Sequence, residues 1–209
     1  MASNGDKFGI LKYDTVCKIK EVGNIFFCSA GFDVDPIDSI AENCILTTNS
    51  IELAANKFIN KAKEYRLNYL EKLRLTSYKD FVYYFKYLKH FGTAFLGYEK
   101  DIPKIVHFTL TITSRENEKV VVQESIEKLL TFPTTNTFIF LGASDNSYKF
   151  AEDSIFWAKN GFQKGMEELV AIECDKDSIN VGRPIDVLGI LSETRHIWFK
   201  GPACKSKRH

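Results

Sequence analysis

The spacing of apolar residues changes from helical to alternating near Thr93, and that change limits the fold more than any motif does. From Ile51 the positions Ala55, Phe58, Ile59, Ala62, Tyr65, Tyr69, Leu70 and Leu73 recur at helical spacing. From Thr93 the period is two: Val106, Phe108, Leu110 and Ile112 face one way, while His107, Thr109 and Thr111 face the other. A long one-faced helix followed by alternating strands buries both apolar surfaces most directly by laying the helix against the sheet. His107 reads as a hydrogen-bonded strand residue, the usual state of a lone histidine on a strand, rather than as a catalyst.

The flanking segments extend this plan. "VCKIKEV" and "IFFCSAGF" are β-prone runs separated by Gly23 and Asn24, which suit a tight hairpin turn. Pairing Val22 with Ile25 places Cys17, Ile19, Cys28 and Ala30 on one face, so the two thiols are diagonal core neighbours rather than metal ligands. Asn49 with Glu52 predicts the start of the long helix, and Ser77 with Asp80 the start of a second. On that second helix Phe81, Val82, Phe85 and Leu88 form a stripe that Tyr83, Tyr84 and Tyr87 widen, either as a broad core stripe with hydroxyls reaching water or as a partner contact.

"TAFLGY", "KIVHFTLTI", "KVVVQES" and "NTFIFLGAS" follow as strands, with "TSRENE" closing a hairpin. A third helix beginning near Asp145 or Asn146 is expected to bury Phe150, Ala151, Ile155 and Ala158. After Gly161 a fourth is expected to bury Phe162, Met166, Leu169, Val170 and Cys174. "PIDVLGI" and "RHIWFKG", joined by "LSET", close the chain as a strand pair.

With 28 basic and 27 acidic side chains in 209 residues, no global field steers the protein toward nucleic acid or an anionic membrane, and neither is an expected partner. The cysteines at 17, 28, 44, 174 and 204 lack the spacing of a zinc site, so no metal is expected. Nor is there a glycine-rich phosphate loop, a GxSxG elbow or an HExxH pair, and no cofactor is expected. Neither a signal peptide nor a membrane-length apolar run is present, which makes a cytoplasmic location the expectation. Residues 1–15 read as an N-terminal extension, 16–200 as one domain, and 201–209, ending in "CKSKRH", as a basic tail that is solvated or weakly anion-binding.

Two helix pairs inserted between blocks of mostly antiparallel strands can cover the outer faces of two stacked sheets. The expected fold is therefore α+β, a four-layer αββα sandwich. In this order of elements, with "VCKIKEVGNIFFCSAGF" near the start and "GRPIDVLGI" near the end, the chain resembles the proteasome-type N-terminal-nucleophile hydrolases from about Val16 to Phe199. In that fold "PIDVLGI" is a central strand, and Asp186 reads as a structural carboxylate at a sheet interface.

The resemblance implies particular site positions. Gly31 matches the glycine whose backbone N–H serves as an oxyanion donor, and Asp177 matches the aspartate at the end of the fourth helix. Departures are equally specific. Thr15 occupies the place of the family's lysine, with Lys12 three residues out of register, and Ala143 that of its serine, with Ser144 one residue away. About fifteen residues precede the first matched strand, too few for the strand that carries the family's nucleophile and its neighbour. The expected function is a non-catalytic, proteasome-like protein of self-assembly or scaffolding that forms homo-oligomers. The other reading is a peptidase or amidase of the class whose nucleophile-bearing N-terminus is missing from this chain. A peptide ligand in the sandwich cleft is compatible with both.

Overall fold

In the computed structural model the described residues are 19–30, 34–87, 90–116, 119–125, 130–131, 146–176, 187–192 and 194–200. Strands β1 (Ile19–Val22) and β2 (Ile25–Ala30) form the expected hairpin, with Val22 opposite Ile25 and Ile19 opposite Cys28. Gly23 provides the positive φ of 64° that its turn requires. Cys17 lies outside the described residues.

Strands β3 (His90–Glu99), β4 (Ile102–Glu116), β5 (Lys119–Ser125) and the two-residue β6 (Leu130–Thr131) continue the sheet. Every pairing is antiparallel in the order β1-β2-β3-β4-β5, and β6 pairs with the half of β4 that β5 leaves open. Lys100 and Asp101, with φ of 53° and 59°, make the β3–β4 turn in the left-handed conformation that matches strand twist. "NTFIFLGAS" and "PIDVLGI" up to Asp186 lie outside the described residues.

Three helices, one more than the sequence pattern predicted, separate β2 from β3: α1 (Val34–Leu46), α2 (Ile51–Thr76) and α3 (Tyr78–Tyr87). Pro36 does not prevent α1, because it falls in the first turn, where backbone N–H groups have no intrahelical acceptor. Ile37, Ala41, Cys44 and Ile45 then fall on its buried face. The cap of α2 is Ser50 rather than Asn49: its Oγ accepts from the Leu53 N–H at 3.4 Å. Glu99, at the end of β3, accepts from the Ile51 N–H and pairs with Lys104, tying the same helix end to the sheet.

The main core lies between α1–α2 and one face of this sheet, α1 on β1 and β2, α2 on β3, β4 and β5. At its centre Phe58 meets Phe91, Phe95 and Phe108 with ring centroids 6.5, 5.2 and 5.5 Å apart. The expected alternation on β4 places Val106, Phe108 and Leu110 in this core. Arg66 is buried on the same helix, donating from Nη1 to the Leu110 carbonyl at 2.7 Å, and burial lowers its guanidinium to about 10.

A second antiparallel pair, β7 (Val187–Ser192) and β8 (Arg195–Lys200), contacts the other face of the sheet. His196 sets its ring edge-on to Phe26 at 5.0 Å, with Nε2 3.5 Å from the Glu21 carboxylate, and β7 touches β3. Helices α4 (Tyr148–Ala151) and α5 (Ser154–Lys176) form a small cluster of their own around Ala151, Phe156 and Leu169, and α5 touches β7. The result is a mixed α+β fold built on antiparallel sheets. Among the described residues no helix is long and apolar enough to cross a membrane.

The predicted buried stripe of this helical segment holds at Ala151, Leu169 and Cys174 and is corrected elsewhere: Ile155, Ala158 and Phe162 are exposed, and Phe156 is buried instead. Trp157 sets the rotation. Its ring lies where a side chain at Gly165 would be, 2.6 Å from an ideal Cβ, and its indole N–H donates to the Ala151 carbonyl at 2.8 Å. Val82 on α3 is likewise exposed, whereas Phe81 is buried. Gly161 separates two helical pieces as expected: its φ of 67° and ψ of 172° are non-helical, so Ser154–Lys176 is two helices that meet at a kink.

Gly97 gives a direct test of this packing. A Cβ there would lie 2.8 Å from the Asn24 carbonyl oxygen and 3.2 Å from Ile51 Cδ1, so the hairpin turn or α2 would have to move. Gly97→Ala is expected to destabilise the protein by about 2 kcal/mol, read from the urea unfolding midpoint; an unchanged midpoint would refute the contact.

Candidate functional site

Gly31, Asp177, Thr15 and Ala143, together with Lys12, Ser144 and Asp186, lie outside the described residues. Two clusters of polar side chains stand beside those positions in sequence. The first is built by the β1–β2 hairpin and α1. Alternation turns Lys20 and Ser29 toward the helices with Val22, Ile25 and Phe27, where Asp38 of α1 meets them. Lys20 Nζ is 3.1 Å from Asp38 Oδ2, and the Ser29 hydroxyl donates to Asp38 Oδ1 at 3.3 Å. Thr93, opposite Ser29 on β3, is fully buried, and its Oγ1 has no hydrogen-bond partner.

Burial is the largest influence on Asp38 and pushes its carboxyl above the usual aspartate range. Lys20 and Ser29 pull it back, while Glu42 adds a smaller push upward. A carboxylate that accepts a serine proton could act as a base, but this one is neutralised by an ammonium on its other oxygen. The three side chains satisfy one another, which fits a clamp between hairpin and helix better than a waiting catalyst. Cys28 on the opposite face of β2 is no better a nucleophile, since burial pushes its thiol up to about 12.

The second cluster joins the two segments next to Ala143 and Asp177. Glu173 of α5 is buried and accepts the backbone N–H of Asn146 and of Ser147, each at 2.6 Å, and the Asn146 side-chain amide at 2.9 Å. Burial favours its neutral form, yet these bonds outweigh it and hold the carboxyl below the usual glutamate range. Three donors on one carboxylate make a structural lock for the turn before α4.

Among the described residues no group of three His, Cys, Asp or Glu side chains could hold a metal, and Cys28, Cys44 and Cys174 are free thiols. The sequence reading missed Lys20, Asp38, Glu173 and Arg66. The helical spacing of Ile37, Ala41 and Cys44 would have placed Asp38 on a helix near the hairpin, but nothing local marks Glu173, whose donors lie 27 and 26 residues away. No family model, curated protein or solved structure matches the chain.

The two carboxylates make opposite predictions. Asp38 is raised, so the folded chain binds more protons than the unfolded one just above the ordinary aspartate value. Its contribution is present at low pH and lost as pH rises through that window. Glu173 is lowered, so its contribution is present above the ordinary glutamate value and lost as pH falls. In urea unfolding from about pH 3 to about pH 7, the cost of Glu173→Gln should reach about 2 kcal/mol at neutral pH and shrink on acidification. The cost of Asp38→Asn should change in the other direction. Parallel slopes for the two variants would contradict both assignments.

Proposed function

We propose that this protein is a proteasome-subunit-like αββα sandwich that acts in self-assembly or scaffolding rather than in peptide hydrolysis. Contact of the β7–β8 pair with the second face of the larger sheet supports two stacked sheets. The touch of α5 on β7 supports a helical layer beyond the smaller one. Glu173 adds to this by drawing together Asn146, Ser147 and the last turns of α5, neighbours of Ala143 and Asp177, as the resemblance requires.

The observation that carries the non-catalytic part is the closed Lys20, Ser29 and Asp38 cluster, two residues before Gly31. Lys20 is not the position that matches the family's lysine, and its ion pair with Asp38 leaves no spare cation in the described hairpin to serve a nucleophile in that lysine's place. Thr15 and Ala143, standing where the family has a lysine and a serine, agree with this.

Incubation with fluorogenic peptides and an electrophilic probe for N-terminal nucleophiles should give neither turnover nor covalent labelling. A labelled N-terminal residue would establish the peptidase reading instead. Native mass spectrometry with light scattering should show a homo-oligomer at micromolar concentration, whereas a clean monomer would defeat the self-assembly part.

A further inference from the structure

The elbow between α2 and α3 presents apolar side chains to solvent, although the Tyr78 ring also packs on Phe81 at 6.0 Å. Leu75 is 75% exposed, Tyr78 53%, Val82 44% and Tyr83 43%. Single exposed apolar side chains are ordinary, but four within nine residues around one turn are a concentration of the kind found at interaction sites. The corner is also rigid. Ser77 closes α2 by donating its N–H to the Leu73 carbonyl at 2.7 Å and opens α3 by donating its hydroxyl to Asp80 at 2.7 Å. Phe81 then anchors α3 in the main core.

The charges around the patch have one net sign. Glu71 is paired with Arg74 at 2.8 Å, and Asp80 accepts from Ser77 but keeps its charge, so Lys72 and Lys79 outweigh one carboxylate. Lys72 and Lys79 are both exposed. Lys72 near the end of α2 complements the helix dipole, but Lys79 stands in the first turn of α3, where a cation is unfavourable for the helix itself. Helix stability therefore does not explain Lys79, whereas an anionic partner would.

We infer that the α2–α3 elbow is a docking face for an acidic protein segment that carries apolar side chains, its carboxylates meeting Lys72 and Lys79 and its apolar residues covering Leu75, Tyr78 and Val82. This does not depend on the four-layer reading or on self-assembly, since it stands on the exposure and charge of one corner. Such a segment gains from burying the patch, while the two lysines select against basic partners.

The test uses the full chain and two labelled synthetic amphipathic helices that share a leucine face, one with glutamates on its polar face and the other with lysines. By fluorescence anisotropy the acidic helix should bind and the basic one should not, with affinity falling as salt is raised. Leu75→Ser with Val82→Ser, and separately Lys72→Glu with Lys79→Glu, should each weaken the acidic helix about ten-fold or more. The charge-reversed variant should gain binding to the basic helix, a result that loss of folding cannot produce, and circular dichroism checks the fold of both variants.

Equal binding of the two helices, no binding, or variants without effect would overturn the proposal. So would light scattering in which the chain self-associates and Val82→Asp abolishes it, because the occupant would then be a second copy. A monomer that still binds the acidic helix removes the self-assembly reading and leaves the elbow in place.

Discussion

The main core is arranged around Phe58. That residue sits in the first third of the longest described helix and touches aromatic rings on β3 and β4, so one side chain helps set how α2 lies on the sheet. A helix of 26 residues is about 39 Å long, enough to cross several strands at a spacing near 4.8 Å. With that crossing set, the end of β3 reaches the start of α2 and Glu99 can cap it, while the far end of α2, past Leu73, turns at Ser77 into the elbow. Aromatic packing in the centre thus determines which helix end is tied to the sheet and which is offered to solvent.

The charged groups drawn into the interior do similar work by different means. Arg66 holds the Leu110 carbonyl, Asp38 holds Lys20 and Ser29, and Glu173 holds the turn before α4. Each bond joins separate elements, distant in sequence at Arg66 and Glu173 and neighbouring at Asp38, which apolar contact alone leaves free to slide. The opposite shifts of Asp38 and Glu173 show why perturbed acidity is a weak guide to catalysis here. Glu173 gains more from its donors than burial costs it; Asp38 gains less. Both are explained by neighbours within the fold, without a substrate.

What the sequence made legible followed from strong periodicity. Alternation around Phe108 gave the facing of β4, and the Gly23 turn gave the β1–β2 register, because in each case a shift of one residue would expose a whole apolar row. The failures have equally physical causes. Pro36 masks α1 to a reader who takes proline as a breaker without asking where in the helix it falls. Ile155 and Phe162 lost the inward position to Phe156 and Trp157, since the larger rings found a glycine to lie on, and no periodicity count weighs that choice. The polar clusters were least legible, as their partners are set by tertiary approach. The positions that the resemblance singled out, Gly31 and Asp177 among them, lie outside the described residues.

Among the described residues, polar groups of the interior and of the elbow differ in what their neighbours leave open. Lys20, Ser29 and Asp38 are three reactive residue types placed together, yet each meets the bonding needs of another. Opening the cluster would strip a nearly buried carboxylate of its cation, a state that costs several kcal/mol in proteins. At the elbow the balance is reversed. Lys79 gains nothing from its own helix, and Leu75, the most exposed side chain of the patch, gains nothing from the core. Groups that a fold leaves unused while holding their backbone rigid are those a partner can bind at least entropic cost, since the ordering has already been done by Ser77 and Phe81.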